Sequence, residues 1–142
     1  MQNWVFYGII AAIFFAFNTI IYKVAQQKGN FSPYYGSFMF GIGVMLVFGL
    51  FLLLNPGWNF EAKSTGLSIA AGMLWALGFI LVAIAIYQKA DVSRLASIYN
   101  TNTLLTVIMG IIFLHEIPDA SQIFRVVSGA ILIVAGAVLV SI

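Results

Sequence analysis

The sequence has no cysteine, a single histidine and few charged residues of either sign. Without cysteine the chain can form neither disulfides nor thiolate metal sites. Charged residues make up 7% of the chain, whereas soluble domains carry roughly 25%, and this difference excludes a soluble domain. The formal net charge of +2 gives no sign of nucleic-acid binding, and we expect none.

What the chain does have is apolar length, with 63% hydrophobic residues and a mean hydropathy of +1.07. About 20 apolar residues cross the hydrocarbon core of a bilayer as a helix, and this length fits five times. We therefore predict an all-α integral membrane protein, a five-transmembrane-helix bundle that forms one domain over residues 1–142. The predicted spans cover residues 4–22, 33–54, 66–87, 95–114 and 123–142.

An odd number of spans places the two termini on opposite sides of the membrane, called here side A for the N-terminus and side B for the C-terminus. Side B then carries four basic residues and side A two: Lys23, Lys28, Lys89 and Arg94 against Lys63 and Arg125. The positive-inside rule favours a cytoplasmic side B, which means N-out and C-in. Because the bias is slight, insertion in both orientations stays open. We expect a multi-pass protein of a prokaryotic inner (plasma) membrane.

Polar residues within the spans are the candidates for function, since each is costly inside a bilayer. Asn18 and Tyr22 share one face of the first span, and the fourth span opens with an uninterrupted polar run over residues 99–103. By helical rise the two polar bands share a level. We predict that they form a recess open toward side B, closed inside by Trp75 of the third span. The predicted substrate-binding residues are Asn18, Tyr22, Trp75, Tyr99, Asn102, Thr103 and Thr106.

A simpler interpretation of the same residues is that they hydrogen-bond between helices. Such bonds are common in membrane bundles and contribute about 0.6 kcal/mol each. Five consecutive polar residues, however, point around the whole helix, so one neighbouring helix cannot satisfy them all.

No pattern in the sequence indicates an enzyme. His115 and Glu116 begin like a zinc-protease motif, but Asp119 stands where the second histidine is needed. No carboxylate lies inside a predicted span, and no nucleophile accompanies a base. We expect no catalytic residue, no metal site and no cofactor.

Small residues mark where helix backbones can approach closely. Gly72 and Ala76 lie on the third span, and Gly129 and Gly136 lie one heptad apart on the fifth. Packing within one protomer is the default interpretation. The fifth span is the best candidate for a contact between protomers.

Four stretches of the chain carry a family resemblance. They are Asn18 five residues before Lys23, AIYQKADVS at 85–93, FLHEI at 113–117 and GAILIVAG at 129–136. Together they resemble the EamA domain of the drug/metabolite transporter superfamily. The resemblance covers essentially the whole chain.

The resemblance implies a transporter built from inverted repeats, since most relatives carry two such five-helix units in one chain. A single unit would pair with another copy, as an antiparallel homodimer, or with a different half-unit. Related multidrug carriers use a glutamate in the first span, and none is present here. The resemblance therefore implies alternating-access transport of a small neutral or zwitterionic metabolite, with membrane lipid as the other partner. The alternatives are a lipid or lipid-precursor translocase subunit and a non-transporting membrane partner protein.

The family often has a proline in the fourth span, thirteen residues before the glutamate. Thr103 occupies that position in this chain. Any kink in the fourth span is therefore expected to have another cause.

Overall fold

The computed structural model describes residues 3–55, 57, 60–115 and 120–141, and within these ranges it contains six α-helices and no strand. Five segments are long and apolar enough to cross a membrane: α1, α2, α3, α4 together with α5, and α6. The predicted all-helical membrane fold with five spans is confirmed. The helices are α1 Asn3–Gly29, α2 Pro33–Leu54, α3 Ala62–Tyr87, α4 Val92–Tyr99, α5 Asn102–Phe113 and α6 Ala120–Ser141.

Helix α1 runs seven residues beyond its predicted end at residue 22. The prediction stopped at Lys23 because charged and polar residues follow, but lysine and glutamine are good helix formers. Asn30 ends the helix in the left-handed region, with a φ of 45°. Its amide donates a hydrogen bond to the Gln26 carbonyl at 3.0 Å, as in the common left-handed cap. Gln26 is therefore helical.

Helix α2 occupies the predicted span 33–54 because both of its ends are encoded locally. The Ser32 hydroxyl accepts a hydrogen bond from the Tyr34 amide at 3.3 Å, and Pro33 takes the first helical position, where its missing N–H is not needed. At the other end the Asn55 amide donates to the Phe51 carbonyl at 3.0 Å.

Helix α3 begins at Ala62, four residues before the predicted start of the third span at residue 66. Glu61 caps it, because its carboxylate accepts hydrogen bonds from the Ser64 amide at 2.7 Å and the Lys63 amide at 3.3 Å. Hydrogen bonds from the side chain and amide of Ser64, and then from Lys63, hold the pKa of Glu61 below its usual value of 4.5. The carboxylate is therefore ionised at neutral pH at the helix N-terminus, where negative charge is favoured.

The fourth span is two helices, with the break between α4 and α5 at Asn100 and Thr101. The Thr101 amide donates to the Ile98 carbonyl, and the Thr103 amide to the Asn100 carbonyl, each at 3.1 Å. This three-residue spacing is that of a 3₁₀ turn. The Thr101 hydroxyl also donates to the Ile98 carbonyl at 2.7 Å. The predicted polar run thus interrupts the helix itself, because Asn and Thr side chains compete for backbone hydrogen bonds.

The chain divides into two compact units, residues 1–89 and 90–142. In unit 1, α3 packs against both α1 and α2; in unit 2, α6 packs against both α4 and α5. Most large apolar side chains that the structure describes are exposed within the single chain, as expected for surfaces that meet lipid or another protomer. A single domain over residues 1–142 stays a prediction.

Gly129 and Gly136 of α6 were expected by default to pack within one protomer, but other small residues of α6 do so. Ala130 and Ala137, one heptad apart, are the buried pair. Gly129 and Gly136 have open space, since a Cβ built on either would have no described atom within 4 Å. Gly72 of α3 is equally open. Close packing inside unit 2 therefore uses alanines, and the two glycines of α6 leave the helix backbone accessible.

Candidate functional site

The predicted polar pair of the first span lines a hollow between α1 and α2. This α1–α2 hollow has a volume of about 330 Å³. Asn18 is half-buried at its wall, and Tyr22 lies one turn further along α1. Both residues therefore lie on the side of α1 that borders this hollow. The full lining is Asn18, Ile21, Tyr22, Ala25, Phe31, Tyr35, Gly36, Met39 and Phe40.

Tyr22 is the most constrained of the predicted site residues, with 7% of its surface exposed. Its ring meets Phe79 edge-on at 5.0 Å and Phe40 at 6.2 Å between ring centroids. Its hydroxyl donates to the Pro33 carbonyl at 3.5 Å, which is long for a hydrogen bond. Aromatic packing, more than this bond, therefore holds the Tyr22 ring in place.

Trp75 belongs to a stack of three nearly parallel rings. Phe40 and Phe79 lie 4.1 Å apart at 11°, and Trp75 lies 5.6 Å from each. Half of the Trp75 surface is exposed, and it lines a groove of about 490 Å³ between α2 and α3. Tyr22 and Trp75 thus join through Phe40 and Phe79, but they face different spaces.

Phe40 and Phe79 were absent from the predicted site although they connect its aromatic members. The chain contains 13 phenylalanines, and neither residue has a local pattern that separates it from the others. Only the pairing of α2 with α3 brings them together. A contact of this kind has no signal in a single sequence.

The remaining predicted residues lie at the break in the fourth span, in unit 2. Tyr99 is the last residue of α4 and is half-buried. Asn102 is the first residue of α5, and Thr103 and Thr106 follow on that helix, all three exposed within the chain. That these four residues share one recess with Asn18, Tyr22 and Trp75 stays a prediction.

Among the residues that the structure describes, none in the wall of either space is charged. The polar groups of the α1–α2 hollow are the Asn18 amide and the hydroxyls of Tyr22 and Tyr35. The described ranges contain no group of three His, Asp or Glu side chains that could hold a metal ion. The hollow can therefore donate and accept hydrogen bonds and offer aromatic faces.

The side-B ends of the unit 1 helices are packed together, and an opening of the predicted recess toward side B stays a prediction. All residues of unit 1 that are buried in the described structure lie near these ends: Tyr22, Gln26, Pro33, Gly36, Ala83 and Ile86. The turn between α1 and α2 explains the closure. Its Phe31 ring lies between Gly29 and Gly36, where both helices lack side chains.

The family comparison covers nearly the whole chain, since the model of the EamA-like transporter family matches residues 2–142. The chain belongs to the EamA-like transporter family. This confirms the resemblance predicted from the four sequence stretches. Comparisons with curated proteins and with solved structures gave no match.

Membership makes this EamA-like chain an integral multi-pass membrane protein with a transporter-like function, and the family is not an enzyme family. The part of the family pattern around Glu116, together with Pro118 and Asp119, lies outside the described residues. Among the described residues of this EamA-like chain, the α1–α2 hollow and the groove between α2 and α3 are the candidate transport features.

Proposed function

We propose that this EamA-like chain is one half of a transporter that moves a small neutral or zwitterionic metabolite by alternating access. The observation that carries the proposal is the α1–α2 hollow, where Asn18 and Tyr22 face a space whose described wall residues are all uncharged. Membership of a transporter family favours transport, and the uncharged hydrogen-bonding groups of the hollow favour a small solute as the substrate.

The chemistry of the wall supports the substrate class. A singly charged substrate would need a compensating charge in a space shielded from water, and the described residues of the hollow supply none. Amide and phenol groups can instead bind hydroxyl, carbonyl or amide groups of a neutral solute. A zwitterion is compatible too, because its own charges offset each other.

We also propose that the polar residues at the break of the fourth span belong to the substrate site. Their amide and hydroxyl groups offer the same hydrogen-bonding chemistry as Asn18 and Tyr22. The proposed substrate site is Asn18, Tyr22, Trp75, Tyr99, Asn102, Thr103 and Thr106.

We further propose that two copies pair in opposite orientations, or that the chain pairs with another half-unit. Alternating access in inverted-repeat carriers needs two such units around one site. Gly129 and Gly136 of α6 leave backbone open for a second copy to approach. The proposed location is a prokaryotic inner membrane, with N-out/C-in favoured by charge and both orientations required for the antiparallel homodimer.

A second candidate function is a lipid or lipid-precursor translocase subunit. The groove between α2 and α3 favours it, because that space is larger than the α1–α2 hollow and almost wholly apolar. An acyl chain fits such a wall, whereas a polar metabolite finds few partners there.

The test is a thermal-shift screen of the purified protein in detergent against neutral and zwitterionic metabolites, with a phospholipid series in parallel. A ligand that binds only the folded protein raises its melting temperature. We expect at least one metabolite to do so, and Asn18→Ala to remove the shift.

Thr19→Val is the matched control, since the Thr19 hydroxyl donates to the Phe15 carbonyl of its own helix at 2.9 Å. This variant should keep the ligand-induced shift. An equal shift in Asn18→Ala would contradict the site assignment. Stabilisation by phospholipids alone would favour the translocase instead.

A further inference from the structure

Gln26 extends the polar face of α1 beyond the two residues predicted from the sequence. Asn18, Tyr22 and Gln26 are spaced by four residues each, so they lie along one face of the helix. Gln26 is the most deeply buried polar residue that the structure describes, with 4% of its surface exposed. A buried glutamine in this position requires an explanation, because its amide offers both donors and acceptors.

The Gln26 amide is only half satisfied. Its Nε2 donates to the Ala83 carbonyl of α3 at 3.5 Å, beyond the usual range for a strong bond. Its Oε1 is buried and has no hydrogen-bond partner within the described part of the chain. An unsatisfied buried acceptor disfavours the state that contains it. The unsatisfied acceptor therefore lowers the stability of the α1–α3 contact at Gln26, although the contact is buried.

The contact lies where unit 1 is closed. Ala83 is fully buried opposite Gln26, and Ile86 is buried three residues further along α3. Both helices end within one turn of this point, α1 at Gly29 and α3 at Tyr87. Helix ends can separate with less loss of packing than helix centres, since fewer residues follow the contact.

We propose that the side-B ends of α1 and α3 form a gate, with Gln26 as its hydrogen-bonding residue. When the two helices part, water or an N–H or O–H donor of a passing solute reaches Oε1 and satisfies it. The closed state is thus destabilised by its own unpaired acceptor, and the open state is hydrated. The assignment of a solute rests on the proposed function, whereas the opening itself does not.

Gln26→Leu separates a gate from a structural tie between the helices. Leucine nearly preserves the side-chain volume but removes both the weak bond and the unpaired oxygen. If Gln26 holds α1 to α3, the substitution should loosen the contact. If Gln26 destabilises the closed state, the substitution should tighten it.

The measurement is the rate at which N-ethylmaleimide labels a single thiol placed at Ala83→Cys, in purified protein reconstituted in liposomes. The chain has no cysteine of its own, so this thiol is the sole target. We expect Gln26→Leu to slow labelling by about five-fold or more, the factor that corresponds to removing an unsatisfied buried acceptor. Gln27→Leu, at the exposed neighbour, should leave the rate unchanged.

Unchanged or faster labelling in Gln26→Leu would overturn the gate. Should Ala83→Cys fail to fold, Ile86→Cys gives the same comparison, since cysteine is smaller than the isoleucine it replaces. The labelling experiment requires no ligand, and the thermal-shift screen does not require the gate to open. If Gln26→Leu slows labelling but no metabolite raises the melting temperature, the proposed transport is refuted and the gate is not. If a metabolite raises the melting temperature but Gln26→Leu does not slow labelling, the gate alone is refuted.

Discussion

At the scale of single residues, Gly36 of α2 lies in close contact with the Phe31 and Tyr22 side chains. A Cβ at this position would overlap the Phe31 ring and lie 2.8 Å from the Tyr22 hydroxyl oxygen. Tyr22 in turn meets two further rings and so has little room to move. The absence of a side chain at Gly36 is therefore what allows Tyr22 to reach the wall of the α1–α2 hollow.

Gly36→Ala should destabilise the protein by about 1–3 kcal/mol, the usual cost of extra volume in a packed contact. Gly43→Ala on the same helix is the matched control, because a Cβ there has no described atom within 4 Å. That variant should be neutral or more stable by up to about 1 kcal/mol, since alanine is the better helix former. Unfolding in detergent with increasing denaturant measures both. Equal stability of the two variants would show that the Phe31 ring moves aside freely.

Glu61 gives a second residue-scale prediction, through the pKa that hydrogen bonds from Ser64 lower from 4.5. A carboxylate with a lowered pKa in the folded state stabilises the protein above its unfolded pKa, and this stabilisation disappears as the pH falls through the folded value. Glu61→Gln should therefore lower the melting temperature at pH 7. The wild-type protein should lose stability as the pH falls below 4.5, and the Glu61→Gln variant should lose less. Parallel pH profiles of the two proteins would refute the cap.

At the scale of elements, the bounds of α2 were predicted correctly, whereas α1 extends beyond its predicted end and the fourth span is divided into α4 and α5. Ser32 and Pro33 begin α2, and Asn55 ends it, so the determinants lie beside the helix. The end of α1 depends on Asn30 adopting a left-handed conformation, which a lysine- and glutamine-rich tail does not reveal. Gln26 was consequently placed outside the first predicted span and was not among the predicted site residues.

The break between α4 and α5 shows the reverse case, in which the residues were recognised but their effect was not. The polar run was predicted to line a continuous helix, and instead its side chains interrupt the hydrogen bonding. Sequence alone does not decide between these outcomes, because a Thr hydroxyl can bond its own backbone or a ligand equally well. No proline was needed for the break.

Replacing Asn100 and Thr101 together with alanine should restore a regular helix through the fourth span. Each change gains about 0.5 kcal/mol of helix propensity, so amide exchange near the break should slow by roughly five-fold. Hydrogen–deuterium exchange of a peptide covering residues 95–106 measures this. Thr106→Ala, inside α5, is the control and should change exchange much less. If the double variant exchanges at the wild-type rate, tertiary packing, not the polar side chains, maintains the break.

At the scale of the whole molecule, composition and the family pattern predicted most of what is established. The apolar runs required a five-span membrane protein, and the four motif stretches pointed to the EamA-like family that the family comparison shows. The candidate site was predicted only in part. Asn18 and Tyr22, which line the α1–α2 hollow, were predicted because polarity is rare inside a span, whereas the contact of Phe40 with Phe79 depends on how α2 meets α3.

The antiparallel homodimer makes a prediction about the whole molecule, because it requires the chain to insert in both orientations. Ala62 and Gln27 are exposed near opposite ends of their helices, on side A and side B, and replacing either with cysteine leaves the charge bias unaltered. A membrane-impermeant maleimide applied to intact cells should therefore label each single-cysteine protein to about half, as a marginal charge bias allows. Adding Gln88→Arg on side B should raise labelling of Ala62→Cys and lower that of Gln27→Cys, since more positive charge would then hold side B inside. Complete labelling at Ala62 with none at Gln27, before that charge is added, would rule out the homodimer and leave pairing with a different half-unit of opposite orientation.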